Sequence, residues 1–96
     1  MKPSAALDAH RTELRQLLLG YGVTRPRVYG SVLTGADTDD SDLDLLVEAT
    51  DKMTLFMLAR MEHAAQELLG VRVSVLTPGF LPERFRDRVL ERAEPL

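Results

Sequence analysis

The chain has 96 residues, of which 45% are hydrophobic and 28% charged, and its formal net charge is −3 at pH 7. One globular domain over residues 1–96 is expected, and disorder throughout the chain is excluded. The charge argues against a free-standing nucleic-acid-binding protein, and the lack of cysteine excludes disulfides and thiolate metal sites. Because no apolar run approaches the ~20 residues of a membrane span and no secretory signal is visible, we expect a cytoplasmic protein with no membrane partner.

The first half of the chain predicts a helix, a short strand and a helical turn. From Ser4 to about Leu19 the leucines recur near a 3.6-residue period, which is typical of a helix, and Ser4 is the expected N-cap. The segment Arg27–Tyr29 predicts a short strand that ends at Gly30. Residues 31–35 then have the composition of a single helical turn.

The second half predicts two strands that alternate with two helices. Leu43–Val47 is a nearly continuous apolar run, as in a buried central strand, and Thr54–Leu69 is a long helix. Val71–Leu76 alternates like a strand, and the last helix runs from Pro82 to about Arg92. This order indicates an α/β (α+β) domain with a small mixed β-sheet covered by helices on one face.

Two carboxylates, Asp42 and Asp44, stand at the head of the apolar strand. Strand side chains alternate, so both point to one face while Leu43, Leu45 and Val47 point into the core. Two neighbouring carboxylates repel unless a cation offsets their charge, and Mg²⁺ takes one or two carboxylates together with substrate phosphates. The alternative is structural: Asp42 caps the preceding loop and Asp44 is solvated at the end of the strand.

Gly30 and Ser31 lie where the first strand gives way to the helical turn. Glycine lets the backbone approach a ligand closely, free N–H groups favour phosphate, and Ser31 adds a hydroxyl donor. A simple strand-ending turn is the alternative. The combination of Gly30-Ser31, ten intervening residues and Asp42-x-Asp44 is far more specific than either part alone.

With this combination, the sequence resembles the DNA polymerase β-like nucleotidyltransferase superfamily. It looks most like the minimal nucleotidyltransferases, which are often the antitoxin partners of HEPN-type toxins. The resemblance extends over Tyr29–Val32, Asp40–Val47, Leu68–Gly70 and Asp87–Leu90, and so covers about the whole chain. It implies a single domain with the nucleotidyltransferase fold.

The resemblance also implies a mechanism for the motif residues. Gly30 and Ser31 would hold triphosphate oxygens of ATP, and Asp42 and Asp44 would coordinate Mg²⁺ against the α-, β- and γ-phosphates. An acceptor hydroxyl would attack the α-phosphorus and pyrophosphate would leave, so that AMP passes to a protein hydroxyl of a HEPN-type toxin. Such chemistry depends on positioning and charge neutralisation.

The sequence departs from the family pattern at two positions. Ser74 stands where the family usually has a third catalytic Asp, and loss of a positioned base typically costs about 10²–10⁴ in rate. Thr34 stands where many members have Arg, and Arg72 is either a substitute cation or part of a surface ion pair. Two hypotheses follow: an adenylyltransferase with weakened activity, or a pseudo-enzyme antitoxin that binds nucleotide and neutralises its partner by contact. Assembly into an oligomer is left open.

The remaining polar residues are interpreted as structural. His10 and His63 are expected at the surface or in an interface, without a role in metal binding. Asp37, Asp39 and Asp40 are expected in a solvated loop. The last helix carries four arginines, which are Arg84, Arg86, Arg88 and Arg92. They are interpreted as the solvated face of the helix. The alternative is that they form an interface with a partner protein.

Overall fold

The computed structural model describes residues 1–49 and 52–96. The elements in chain order are α1 (Pro3–Gly20), β1 (Thr24–Tyr29), α2 (Ser31–Thr34), β2 (Leu43–Glu48), α3 (Leu55–Leu69), β3 (Val73–Leu76), a 3₁₀ turn (Pro78–Phe80), α4 (Glu83–Arg92) and β4 (Glu94–Pro95). The strands form one sheet in the order β3-β2-β1-β4. β1 is antiparallel to β2 and β4, whereas β2 is parallel to β3. The predicted α/β class with a mixed sheet is confirmed.

One face of the sheet packs against α1 and α3 and forms the hydrophobic core. The alternation along β2 places Leu43, Leu45 and Val47 in this core, fully buried as the sequence predicts. Side chains from the neighbouring strands and the two helices complete the core, among them Val28, Val73, Val75, Leu7, Leu14, Leu18, Leu58, Met61 and Ala65. This packing fixes the sheet that carries the polar residues on its other face.

The opposite face of the sheet is only partly covered. Asp44 pairs with Tyr29 of β1 and with Ser74 of β3, so these three residues lie in a row across the sheet, each half-buried. Farther along β2, Leu46 is fully buried, and the 3₁₀ turn at residues 78–80 contacts this strand. The expected open face is therefore confined to the part of the sheet around Asp44.

The ends of α3 follow from local chemistry. The Thr54 hydroxyl accepts a hydrogen bond from the Met57 N–H at 3.2 Å, which satisfies a donor of the first turn. Gly70 closes the helix with φ at 72°, a left-handed conformation that glycine adopts without a Cβ clash. None of the helices in the described ranges is long and apolar enough to cross a membrane.

Two predictions at the start of the chain are wrong. Lys2 rather than Ser4 occupies the N-cap position of α1, and its side chain makes no capping hydrogen bond. The Ser4 N–H instead donates to Asp37 Oδ2 at 2.9 Å, so a distant carboxylate satisfies this helix donor. Asp37 is therefore 5% exposed rather than solvated, and the hydrogen bond from the Ser4 backbone lowers the pKa of Asp37.

β1 is longer than expected and has an additional neighbour in β4. It begins at Thr24, and its register with β2 shifts between Thr24 and Arg27, where Pro26 lies. A bulge tolerates proline because the missing N–H is not needed for the ladder. Beyond β4, the Leu96 N–H donates to the Pro26 carbonyl at 2.9 Å, which ties the end of the chain to β1.

The free edge of β3 is covered by side chains of α3. The Val73 N–H donates to Gln66 Oε1 at 3.1 Å, and the Val75 N–H donates to Glu62 Oε2 at 2.7 Å. Gln66 and Glu62 are four residues apart on one helix face, which matches the two-residue spacing of the outward N–H groups. Together they close an edge that could otherwise pair with another chain.

Candidate functional site

Gly30 and Asp44 are brought into contact by the pairing of β1 with β2. Tyr29 pairs with Asp44, so Gly30 follows directly beside that carboxylate. A Cβ atom at Gly30 would overlap Asp44 Oδ2 and would lie 3.3 Å from its Cγ. Gly30 also has φ 82° and ψ −151°, a region that is essentially restricted to glycine. Two independent constraints therefore require glycine at this position, and both ends of the predicted motif meet there.

The segment after Gly30 forms the expected single turn, α2. Thr34 Oγ1 donates to the Ser31 carbonyl at 3.1 Å, and the Ala36 N–H donates to the same carbonyl at 3.1 Å. Gly35 ends the turn in the left-handed conformation. The Thr34 side chain is thus engaged within its own turn and supplies no positive charge to the neighbourhood of Gly30.

Asp42 and Asp44 differ in their surroundings. Asp42 lies just before β2 rather than within it, with a side chain that is 50% exposed, whereas Asp44 is half-buried within the strand. Burial raises the pKa of Asp44, and the nearby negative charge of Asp42 raises it further. The ionised form of Asp44 is therefore less stable here than in water, and a cation bound between the two carboxylates would relieve this.

Arg72 forms an ion pair with Asp42. Its Nε lies 2.9 Å from Asp42 Oδ1, and its guanidinium also donates to the Asp40 carbonyl. The Arg72 side chain is 67% exposed, so the pair is a surface salt bridge of the kind that contributes little to stability. Its partner is nevertheless a predicted metal ligand, so a cation at Asp42 would compete with this guanidinium.

Ser74 lies beside Asp44 in the parallel register of β2 and β3. The sequence predicts that Ser74 faces the site, and the register places it in the same row as Asp44. Glu48, another carboxylate of β2, points to the far end of the strand and lies 3.3 Å from Arg25. Within residues 1–49 and 52–96, no three His, Cys, Asp or Glu side chains are grouped as metal ligands. No other acidic side chain in these ranges therefore takes the place of the third carboxylate that Ser74 replaces.

Tyr29 borders the site on the side opposite Ser74. Burial raises the pKa of Tyr29 to about 12, and the negative charges of Asp44 and Glu62 act in the same direction. The phenol is thus a neutral hydrogen-bonding group at physiological pH. The family resemblance includes Tyr29, but no role was predicted for it from the sequence, because a tyrosine at the end of a strand is ordinary.

The two histidines lie away from this site. His10 Nδ1 is 3.0 Å from Glu13 Oε1, and His63 Nε2 is 3.0 Å from Glu67 Oε1. Each pair is formed within one helix at the i,i+3 or i,i+4 spacing. Both histidines therefore make local helix pairs.

The arginines of α4 are not equivalent, which corrects the prediction of a uniformly solvated face. Arg86 is half-buried, and its guanidinium donates to the Leu81 carbonyl at 3.1 Å. Arg88 and Arg92 face Gly30 across a cavity of about 200 Å³, whose lining is Tyr29, Gly30, Leu33, Thr34, Arg88, Val89 and Arg92. This cavity could not be predicted from the sequence, because it depends on where the last helix lies relative to β1 and α2.

The donor set at Asp42 and Asp44 fits one magnesium ion. Both side chains offer only carboxylate oxygens, and Mg²⁺ binds through one or two carboxylates with the remaining positions left to water and phosphate. Burial and then the negative charge of Asp42 raise the pKa of Asp44, and such an ion would offset both effects. A second metal ion would have fewer negatively charged ligands, because Ser74 cannot supply a negative charge.

Sequence comparisons relate this chain to nucleotidyltransferases. A sequence profile of the family described as nucleotidyltransferase domain matches residues 7–95. The protein adenylyltransferase MntA of Thermococcus cleftensis is 33% identical over 84 residues, which are 88% of this chain and 82% of that protein. MJ0435 of Methanocaldococcus jannaschii, provisionally named a protein adenylyltransferase, is 35% identical over 77 residues, covering 80% of this chain and 83% of that protein.

Comparison with solved structures gives the same fold. A structure provisionally described as a minimal nucleotidyltransferase matches with a TM-score of 0.84 and 42% identity, covering 97% of this chain and 95% of its own. A toxin–antitoxin structure determined with AMP-PNP matches with a TM-score of 0.76 over 86% of this chain and 68% of its own. The second match has 16% identity and so bears on the fold alone.

Proposed function

Because this chain belongs to the nucleotidyltransferase domain family, we propose that it binds ATP with Mg²⁺ and transfers AMP to a protein hydroxyl. The observation that carries the proposal is the contact between Gly30 and the Asp44 carboxylate, which brings the phosphate-binding loop against the metal-binding pair. The adenylyltransferase names of two relatives support AMP as the transferred group.

Each motif residue has a role in this proposal. Asp42 and Asp44 hold the metal ion, which when bound neutralises phosphate charge and polarises the α-phosphoryl group. The missing Cβ of Gly30 leaves room for the Asp44 carboxylate beside the loop, and the Ser31 hydroxyl would donate to a phosphate oxygen. The acceptor oxygen forms a bond to the α-phosphorus, the bond from that phosphorus to the bridging oxygen breaks, and pyrophosphate leaves.

The serine at position 74, beside Asp44, is expected to limit the rate of this transfer. The acceptor hydroxyl must lose its proton, and Ser74 is a poor base at neutral pH where the family usually has Asp. Asp42 and Asp44 are committed to the metal ion, so neither is free to act as the base. Loss of a positioned general base typically slows a reaction by about 10²–10⁴. We therefore expect slow transfer together with ordinary nucleotide binding.

A second candidate function follows from the same observation. The register of Ser74 with Asp44 supports a pseudo-enzyme antitoxin, which keeps the nucleotide site but neutralises its partner by contact. In both candidates the partner is a toxin, of the HEPN type that minimal nucleotidyltransferases often accompany. The toxin partner is carried over from the resemblance of the sequence to the minimal nucleotidyltransferases.

Transfer of label from α-labelled ATP separates the two candidates. The purified chain would be incubated with Mg²⁺ and the protein encoded beside its gene, with Asp44→Asn as the inactive control. We expect slow labelling by the natural chain, and a rise of about 10²-fold or more in Ser74→Asp. Equal rates for the serine and aspartate forms would mean that another group acts as the base. Neutralisation of the toxin without labelling by either form would refute the enzyme and leave the contact antitoxin.

A further inference from the structure

The cavity between Gly30 and α4 is bordered by neither Asp42 nor Asp44. Gly30 lies against the Asp44 carboxylate and also lines this cavity, so it adjoins both an acidic group and the arginines Arg88 and Arg92. A triphosphate held at Gly30 and Ser31 would be close to the two carboxylates that would hold the metal ion. The arginines of the cavity would offer it positive charge as well.

Arg88 and Arg92 are the arginines of α4 that are not engaged elsewhere. Arg84 stacks over the Phe85 ring at 5.0 Å, and Arg86 donates to the Leu81 carbonyl. Arg88 and Arg92 are exposed and form no ion pair with any residue of the described ranges. Their spacing of four residues puts both guanidinium groups on one face of the helix.

Packing does not account for these arginines. α4 has no buried residue, so its sequence is not dictated by the core. The rest of the cavity lining carries no charge, since Tyr29 is neutral and the Thr34 hydroxyl is engaged with the Ser31 carbonyl. Two unpaired cations at the mouth of an uncharged cavity beside a Gly-Ser loop are suited to an anion.

The geometry points to Arg88 and Arg92 as ligands of the terminal phosphates of the bound nucleoside triphosphate. This inference rests on the proposed function and adds two residues that the Gly-Ser and Asp-x-Asp motif does not contain. Arginine binds phosphate through two parallel N–H donors, so each residue can hold one phosphate oxygen pair. The pair makes the site selective for triphosphate over monophosphate, because AMP has no phosphate that reaches α4.

Calorimetry with Mg²⁺ and ATP, AMP or inorganic tripolyphosphate tests the inference. The variants are Arg88→Gln, Arg92→Gln and their combination, and the control is Arg84→Gln, which removes the same charge from the same helix. A lost hydrogen bond between charged groups weakens binding by about 10-fold. We therefore expect ATP and tripolyphosphate to bind about 10-fold more weakly to each variant, whereas AMP affinity is unchanged and Arg84→Gln behaves like the natural chain.

The results distinguish failure of the inference from failure of the proposed function. ATP affinity that is equal in the double variant and in Arg84→Gln would overturn the inference and leave the proposed function intact. An equal loss for ATP and AMP would also overturn it, because the arginines would then contact the nucleoside or the first phosphate. Absence of ATP binding to the natural chain would refute the proposed function. In that case, loss of tripolyphosphate binding in the double variant would still support an anion site at α4, and undiminished tripolyphosphate binding would overturn it.

Discussion

The two faces of the sheet are made by the same strands but meet different requirements. On the core face, Leu43 and Leu45 of β2 are fully buried against α1 and α3. On the open face, Asp44 alternates with them and lies between Tyr29 and Ser74. The core face is filled with apolar side chains, whereas the open face holds a carboxylate whose pKa is raised. The core face stabilises the fold, whereas the open face holds a carboxylate that does not stabilise it.

This difference shows where function constrains the chain. A left-handed glycine in contact with a carboxylate, and two neighbouring negative charges, do not stabilise a small domain. Such features persist because the surrounding packing holds them, and they occur preferentially at functional sites. Substitutions on the two faces should therefore have opposite consequences for stability and for ligand binding.

The largest expected effect is on the core face. Leu45→Ala removes a fully buried side chain from the centre of the sheet and should lower the free energy of unfolding by about 2–5 kcal/mol. Urea denaturation followed by circular dichroism measures this change. Ser74→Ala, on the adjacent strand but on the open face, is the control and should change stability by no more than about 0.5 kcal/mol. A loss below that limit for Leu45→Ala would contradict the assignment of the core face.

The next effect tests the contact between Gly30 and Asp44. Gly30→Ala forces a side chain into a left-handed conformation, which costs about 1–3 kcal/mol, and also displaces the Asp44 carboxylate. Gly35→Ala is the matched control, because Gly35 has φ 73° but open space where its Cβ would lie. We expect both variants to lose stability, Gly30→Ala more so, and only Gly30→Ala to lose ATP binding. Equal behaviour of the two variants would show that the overlap with Asp44 is unimportant.

A smaller change, an increase in the free energy of unfolding, is expected when Asp44 is replaced by Asn. Because its pKa is raised in the folded chain from 3.8, the folded state binds the proton more tightly than the unfolded state. The favourable contribution of protonated Asp44 is present below pH 3.8 and is lost as the pH rises through the raised value. Asp44→Asn should therefore be more stable than the natural chain at neutral pH, and the difference should shrink in acid. Glu48→Gln serves as the control, and a destabilised Asp44→Asn at neutral pH would contradict this account.

The smallest effect concerns Tyr29 and appears only in alkaline solution. Its pKa is raised from 10.0 to about 12, so the stability that the neutral phenol contributes is lost as the pH rises through this range. Thermal denaturation of the natural chain between these two values should therefore show a steeper decline than that of Tyr29→Phe. Parallel declines for the two proteins would mean that Tyr29 is not in the buried and negatively charged surroundings that the structure describes.

The sequence predicts the core face well because this face depends on local patterns. The apolar run of β2 fixes its alternation, and the end of α3 at Gly70 follows from backbone preference alone. The hydrogen bond from the Ser4 N–H to Asp37 escaped prediction because these residues are distant in the chain and meet only in the folded state. The same holds for β4, whose two residues carry no strand pattern of their own.

Only those features of the candidate site that depend on local sequence patterns could be predicted. The face on which Ser74 lies follows from the alternation of its strand, whereas its register with Asp44 is seen only in the folded structure. The ion pair of Arg72 with Asp42 was one of two alternatives that only the coordinates could separate. The position of Arg88 near Gly30 depends on the path of α4, a helix with no buried residue to indicate its packing.

The central claim is that Asp42 and Asp44 hold a metal ion that binds ATP at this open face. Calorimetric titration of ATP in the presence of Mg²⁺ tests it directly with the natural chain, Asp42→Asn, Asp44→Asn and the control Glu48→Gln, whose partner Arg25 lies at the other end of the strand. We predict that the natural chain and Glu48→Gln bind ATP alike and only with Mg²⁺, and that each aspartate variant binds at least about 10-fold more weakly, as loss of a charged ligand implies. Equal affinity of all four proteins for ATP in Mg²⁺ would contradict the claim.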